Sequence, residues 1–256
     1  MANFAKSIPQ EELAKRRPLR RFMQWLSIVA FRALTRLEII GEENFPEKGP
    51  LIMVGNHFCF IDPAAFVRIA PFPIEFIGGA VTPHAPKILE FIPKLWGYLP
   101  VYRGTGSRFA LKEAGKVLKE GKVLAIFPEG GAWAEVLRPP RPGTAYIAVR
   151  SKARIIPIGL VGLNNVFPSL AKFKRAKIQF VIGKPIGPFE TTGKGRERRE
   201  QLDEIGHEIM RSIAELLPED KRGFYSNDPD IRKAAKGTEI YPWDNQVEGE
   251  VEGEIH

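Results

Sequence analysis

Among the 256 residues there is a single cysteine, Cys59. That excludes an internal disulfide and a zinc site built from several thiolates, and it suits a reducing compartment. No apolar stretch approaches the ~20 residues a helix needs to cross a bilayer. The opening residues, MANFAKSIPQEELAKRRPLRRF, carry positive charge but lack the apolar core and small-residue cleavage site of a secretory signal. There is no G-x-S-x-G elbow for a serine hydrolase. RNP-like aromatic strands, zinc-finger spacing and a helix-turn-helix pattern are absent as well, which argues against nucleic acid as a partner. These absences point to a cytosolic chain, free or lying on a membrane surface.

What is present is an ordinary apolar content of 44% and a formal charge of +8. The first permits one sizeable core. The second attracts polyanions: nucleic acid, anionic lipid headgroups or phosphorylated substrates. Much of the charge lies early. In residues 11–36, Leu19, Phe22, Met23, Leu26, Val29, Ala30 and Ala33 recur at helical spacing beside Lys15, Arg16, Arg17, Arg20, Arg21, Arg32 and Arg36. A basic amphipathic helix with Phe22 and Trp25 suits an anionic membrane interface, and Arg16, Arg17, Arg20, Arg21, Phe22 and Trp25 are its candidate contacts. The same stripe also serves a helix packed on its own domain.

From Leu37 to Leu217, apolar strand-like runs alternate with helical patterns. LEII, LIMV, IEFIG, YLPV, KVLAIF, RIIPIGLV and KIQFVIG read as strands. Helices are expected after Asp62, over PKILEFIPKL with a break at Pro93, and over about 107–120, 142–151 and 196–217. Strands apolar throughout, alternating with helices, imply an α/β fold with a mixed, mostly parallel central sheet flanked by helices. We therefore expect three parts: an N-terminal basic helical segment over 1–36, an α/β domain over 37–217, and a tail over 218–256. The acidic, glycine-bearing end DNQVEGEVEGEIH is expected to be poorly ordered.

Three segments carry chemistry. GNHFCFIDP, 55–63, places His57 and Asp62 at the exit of a buried strand. Histidine is suited to taking a proton near neutral pH, and a carboxylate on its far nitrogen would orient it. The pair serves a structural strand–helix turn equally well. Cys59 lies in a Phe-Cys-Phe run, a setting in which thiols are usually inert. FPEGG, 127–131, puts Glu129 on a loop at another strand end, where ligands of α/β sheets bind. PVYRG ends in Arg103, whose fork of donors matches phosphate oxygens. His84, His207 and His256 read as loop or surface residues.

Taken in order, NHFCFID, YLPVYRG, FPEGG and RIIPIGLVG resemble the four blocks of the glycerolipid acyltransferase family, whose bacterial member acylates 1-acyl-glycerol-3-phosphate. The resemblance implies His57 as general base and Asp62 as its partner. It implies that Asn56, Arg103, Glu129 and Gly130 contribute to binding the acceptor. It implies acyl-CoA or acyl carrier protein as co-substrate, with no metal and no other cofactor. Many relatives have Thr, Arg and Ser after Phe-Pro-Glu-Gly. Here Gly131, Ala132 and Trp133 stand there, so Arg138 or Arg141 is the candidate replacement cation. Cys59 stands where serine is frequent.

The expected reaction is attack of a lysophospholipid hydroxyl on the thioester, without an acyl-enzyme. Phe58, Phe60 and Trp96 are candidates for an acyl-chain groove. The expected location is the inner face of the membrane, held peripherally. The departure after Phe-Pro-Glu-Gly leaves a glycolipid acceptor open. A non-catalytic basic module for lipid or nucleic acid, and a thioesterase that uses water, are the rival readings.

Overall fold

The computed structural model describes residues 15–47, 49–79, 91–101 and 107–240. Helix α1 (Arg17–Leu34) leads into strand β1 (Thr35–Ile40). There follow β2 (Leu51–Gly55), α2 (Asp62–Ile69), β3 (Ile74–Gly79), α3 (Phe91–Trp96), β4 (Tyr98–Val101), α4 (Ser107–Lys119) and β5 (Val123–Ile126). The chain continues through α5 (Gly143–Ser151), β6 (Arg154–Val161), α6 (Val166–Leu170), β7 (Ala176–Ile182), α7 (Gly195–Ala214) and α8 (Pro229–Ala235). The strands form one sheet in the order β1-β7-β6-β2-β5-β3-β4. Strands β2 to β6 run parallel, β7 is antiparallel to β6, and β1 is parallel to β7. The expected α/β architecture is therefore the observed one.

The strands are apolar throughout because both faces of the sheet are covered. On β2, Leu51 and Met53 enter one core while Ile52 and Val54 enter the other. This is the two-residue period of a strand buried on both sides. The first core is closed by Phe31 of α1 and by Ala65, Phe66 and Ile69 of α2. The second is closed by Ala114 and Val117 of α4, Ala145 and Ala148 of α5, and Ile209, Met210 and Ile213 of α7.

One expectation needs correction. Pro93 does not break the helix around it: α3 runs through it to Trp96, and its carbonyl accepts from Gly97 N–H at 2.8 Å. Residues 218–240 pack back on the domain. Leu137 N–H donates to the Lys221 carbonyl (3.0 Å), Phe224 N–H donates to the Leu137 carbonyl (3.1 Å), and the Trp133 indole donates to the Thr238 carbonyl (2.7 Å). This segment thus braces the loop that follows β5. The acidic run 244–256 lies outside the described residues.

Helix α1 turns Arg20, Gln24 and Ser27 inward beside Phe31 and Met23. Arg20 is buried, with a bidentate pair to Glu75 (2.9 and 2.8 Å) and a bond from Nε to the Trp96 carbonyl (2.8 Å). Gln24 donates to the Ala70 carbonyl and Ser27 to that of Ala64. Most of the other apolar residues point outward: Phe22 is 56% exposed and Trp25 57%, with Leu19, Leu26, Ile28, Val29 and Leu34 also exposed. Phe91, Ile92 and Leu95 of α3 are exposed too, and Arg16 ties α3 to α1 by donating to the Lys94 and Leu95 carbonyls. A helix that packed its stripe on its own domain would show the reverse. Arg20 is accordingly withdrawn as a membrane contact, because its charge is spent on Glu75. Arg17, Arg21, Phe22 and Trp25 remain at the surface.

Candidate active site

Three neighbouring strands, β6, β2 and β5, end at the same edge of the sheet. The chain leaving β2 carries His57, and the chain leaving β5 carries Glu129. Gly55 permits this exit, since a Cβ there would sit 2.8 Å from Phe66 Cζ and 2.9 Å from the Ile158 carbonyl oxygen. Only glycine allows that approach without moving backbone.

The six-residue span from His57 to Asp62 folds into a tight turn that feeds α2. Asp62 Oδ2 accepts from His57 Nδ1 (2.9 Å), Phe58 N–H (2.8 Å) and Cys59 N–H (2.8 Å). Asp62 is buried, and burial raises its carboxyl above the ordinary range, while the His57 contact and the two amides pull it back. With Nδ1–H spent on Asp62, Nε2 carries the lone pair that can take a proton. The His57 ring lies flat on Phe127, centroids 4.2 Å apart, and Phe127 stacks in turn on Phe66 at 4.7 Å. The imidazole side chain keeps 14% of its surface open. It is thus held from one edge and one face, with access left for a reactant.

Glu129 and Arg138 set the backbone of that histidine. Glu129 Oε1 accepts from His57 N–H (2.7 Å), and Oε2 accepts from Arg138 Nε (2.9 Å). Arg138 Nη2 donates to the carbonyls of His57 and Gly131. The guanidinium also lies over the Trp133 ring at 3.8 Å. Both polar groups of the His57 backbone are therefore clamped by one ion pair. Both partners are 1% exposed. Burial raises the Glu129 carboxyl and lowers the Arg138 guanidinium, and their mutual attraction opposes both shifts.

This geometry revises several sequence-based assignments. Glu129 and Arg138 are buried against the His57 backbone, which gives them a positioning role that the sequence did not suggest. The Asn56 side chain donates to the Leu160 carbonyl (2.9 Å) and accepts Leu160 N–H (2.7 Å), sewing β2 to β6. Trp96 is a core residue whose indole donates to the Ile74 carbonyl, so it lines no groove. Phe60 stacks on the half-exposed Phe167 of α6 (5.5 Å). Phe58 lines a cavity of about 220 Å³ together with Asp62, Glu135, Leu160, Asn164 and Lys221. The Asn164 Oδ1 there is buried with no partner. Gly130, at φ +80°, closes the turn after β5 by donating to the Phe127 carbonyl (3.1 Å). Arg141 is exposed beside it. Arg103 and His84 lie outside the described residues.

Burial pushes the Cys59 thiol up to about 11. It therefore stays protonated at neutral pH and is no nucleophile. Sequence reasoning missed Phe127 and Phe66 as supports of the imidazole. Phe127 opens the FPEGG run and was readable there, whereas Phe66 is visible only as the residue one helical turn past Asp62.

The site is thus a His–carboxylate dyad at the carboxyl edge of parallel strands of an α/β sheet, with no activated serine or cysteine beside it among the described residues. Residues 36–161 match the family model described as Acyltransferase. The chain is 28% identical over 153 residues to a 1-acyl-sn-glycerol-3-phosphate acyltransferase of Bacillus subtilis, covering 59% of this chain and 73% of that one. A relative of the same description from Borreliella burgdorferi is 28% identical over 148 residues, 56% of this chain and 58% of its own. The crystal structure of the 1-acyl-sn-glycerophosphate (LPA) acyltransferase PlsC from Thermotoga maritima shares the fold, with a TM-score of 0.54 at 21% identity, covering 79% of this chain and 83% of that one. Over these residues the chain is similar to the glycerolipid acyltransferases.

Proposed function

We propose that the protein transfers a fatty acyl group from a thioester, acyl-CoA or acyl carrier protein, to the hydroxyl of 1-acyl-glycerol-3-phosphate, giving phosphatidate. The observation that carries this reading is the 2.9 Å contact of His57 Nδ1 with Asp62, which leaves Nε2 as a base. The acceptor hydroxyl sits at Nε2 and gives up its proton as its oxygen attacks the thioester carbonyl. The tetrahedral intermediate collapses, the C–S bond breaks, and the thiolate takes the proton back from the imidazolium. Asp62 stabilises that imidazolium in the interval. Arg141, exposed at the rim, and Arg103 supply charge for the acceptor phosphate. In the cavity beside Asp62, the Asn164 Oδ1 suits a hydroxyl donor of the acceptor's polar end.

The test is thiol release from palmitoyl-CoA, followed with a thiol reagent. Release is expected only when lysophosphatidate is present, with phosphatidate formed in equal amount. Release without lysolipid would establish a thioesterase instead. A glycolipid accepted in preference to lysophosphatidate would move the acceptor but keep the chemistry.

The enzyme is proposed to act from a membrane surface, since its acceptor resides there. Among the described residues, no helix is long and apolar enough to cross a membrane. The outward side of α1 offers Phe22 and Trp25, stacked at 5.9 Å, with Arg17 and Arg21 exposed on the same helix. Deleting the helix would also remove Phe31 and the Arg20–Glu75 pair, so point substitution is the cleaner probe. Phe22→Ser with Trp25→Ser is expected to weaken cosedimentation with vesicles of 30% phosphatidylglycerol by roughly tenfold or more. Unchanged cosedimentation would refute this role for α1.

A further inference from the structure

Helix α6 ends in an unusual way. Lys174 N–H donates to the Ser169 carbonyl and Phe173 N–H to that of Leu170, both at 2.9 Å. These are the two bonds of a Schellman C-cap, a motif whose left-handed residue is usually glycine. Here that residue is Phe173, at φ +54°. Its side chain is 101% exposed. A phenylalanine in this position takes on a conformation that strains any residue with a Cβ and gains no packing among the described residues in return.

The surroundings are rich in cations. Lys172, Lys174, Arg175 and Lys177 are exposed around Phe173. Arg175 Nη2 donates to the carbonyls of Arg32 and Thr35, which fastens the loop to the end of α1. Lys177 on β7 pairs in register with Arg36 on the edge strand β1, and both are exposed. Residues 171–178 and 32–37 contribute six cations and no carboxylate. Like charges in register on neighbouring strands repel, and an anionic surface relieves that repulsion.

We infer that the loop after α6 is a second lipid-contact element: Phe173 inserts into an anionic bilayer while Lys172, Lys174, Arg175, Lys177, Arg32 and Arg36 meet its headgroups. The inference builds on the membrane-surface enzyme proposed above and extends it to the opposite end of α1. An acidic carrier protein would match the charge, but it leaves the protruding ring unexplained; a bilayer accounts for both. The consequence is an oriented enzyme. Phe167, one turn before the loop, stacks on Phe60 of the His57 turn. Insertion at Phe173 therefore sets the catalytic turn close to the lipid surface, where the acceptor hydroxyl arrives.

The experiment uses the full chain with vesicles of 30% phosphatidylglycerol in phosphatidylcholine. Phe173→Gly, which restores the residue usual at this cap, is expected to lower vesicle affinity by about tenfold or more without lowering the melting temperature. Phe173→Leu, which keeps an apolar side chain, is expected to retain affinity within about threefold, and Lys172→Gln with Lys174→Gln to lose about tenfold or more on anionic vesicles. Thiol release from palmitoyl-CoA with a short-chain, monomeric lysophosphatidate should stay at the parent rate in all of them. Parent-like binding by Phe173→Gly, alongside lost binding by the Phe22/Trp25 variant, would overturn the inference and leave the α1 reading standing. Intact vesicle binding with weakened binding to acyl carrier protein would also overturn it, in favour of a protein partner. A parent that fails to bind vesicles would overturn both membrane readings, and the thiol assay would still report on the chemistry.

Discussion

His57→Ala is expected to lower kcat for thiol release in the presence of lysophosphatidate by about 10³-fold, within the 10²- to 10⁴-fold range of a positioned general base. That is roughly 4 kcal/mol of transition-state stabilisation. KM for either substrate should change little, because the imidazole engages the hydroxyl most strongly as its proton leaves. The fold should survive, since Asp62 retains its two amide donors and the Glu129–Arg138 pair contacts only the histidine backbone. Asp62→Asn gives a sharper version. An amide at this position no longer offers a carboxylate to His57 Nδ1–H. The imidazole then loses its fixed tautomer and its counter-charge, and kcat should fall nearly as far while the ring remains in place. Turnover within about tenfold of the parent in His57→Ala would end the general-base mechanism.

The strands and helices were readable because their patterns repeat. The fully apolar β2 and β5 require cover on both faces, and each alternates its side chains between the two cores. The dyad was readable because His57 and Asp62 sit within one turn, so five residues of spacing suffice to bring them together. Glu129 was singled out as a carboxylate at a strand end and Arg138 as a replacement for the arginine missing after Phe-Pro-Glu-Gly; the structure brings the two together as a clamp on the His57 backbone. Their burial arises from the 133–138 loop folding back under a brace formed by residues 218–240, a long-range contact that no local pattern encodes. Arg20 was misread. Its partner Glu75 lies 55 residues away, and a buried arginine looks like a surface one until that carboxylate is placed. The α1 stripe left two readings open; the inward Arg20, Gln24 and Ser27 leave most of that stripe exposed, which supports the proposed membrane contact.

The second large effect concerns the Glu129–Arg138 pair. Glu129→Gln or Arg138→Met each leaves an uncompensated charge or donor in a site that is almost fully buried. Breaking a buried pair from one side costs about 3–5 kcal/mol. For a chain of this size each kcal/mol corresponds to about 2–4 °C, so Tm should drop by roughly 10 °C. The informative variant is the double one, Glu129→Met with Arg138→Met. Removing both charges removes the desolvation cost along with the attraction, and stability should return to within about 1–2 kcal/mol of the parent. Activity should not return with it. The His57 N–H would have lost its acceptor and the His57 carbonyl its donor, so the imidazole would no longer be held at one angle to Asp62 and Phe127. Small errors of placement in a general base cost far more in rate than in stability. A stable but nearly inactive double variant, with kcat reduced and KM unchanged, is the expected outcome of thermal melts and the thiol assay. If the double variant regained both stability and turnover, the pair would be a packing element alone, and the clamp on the His57 backbone would have no part in catalysis.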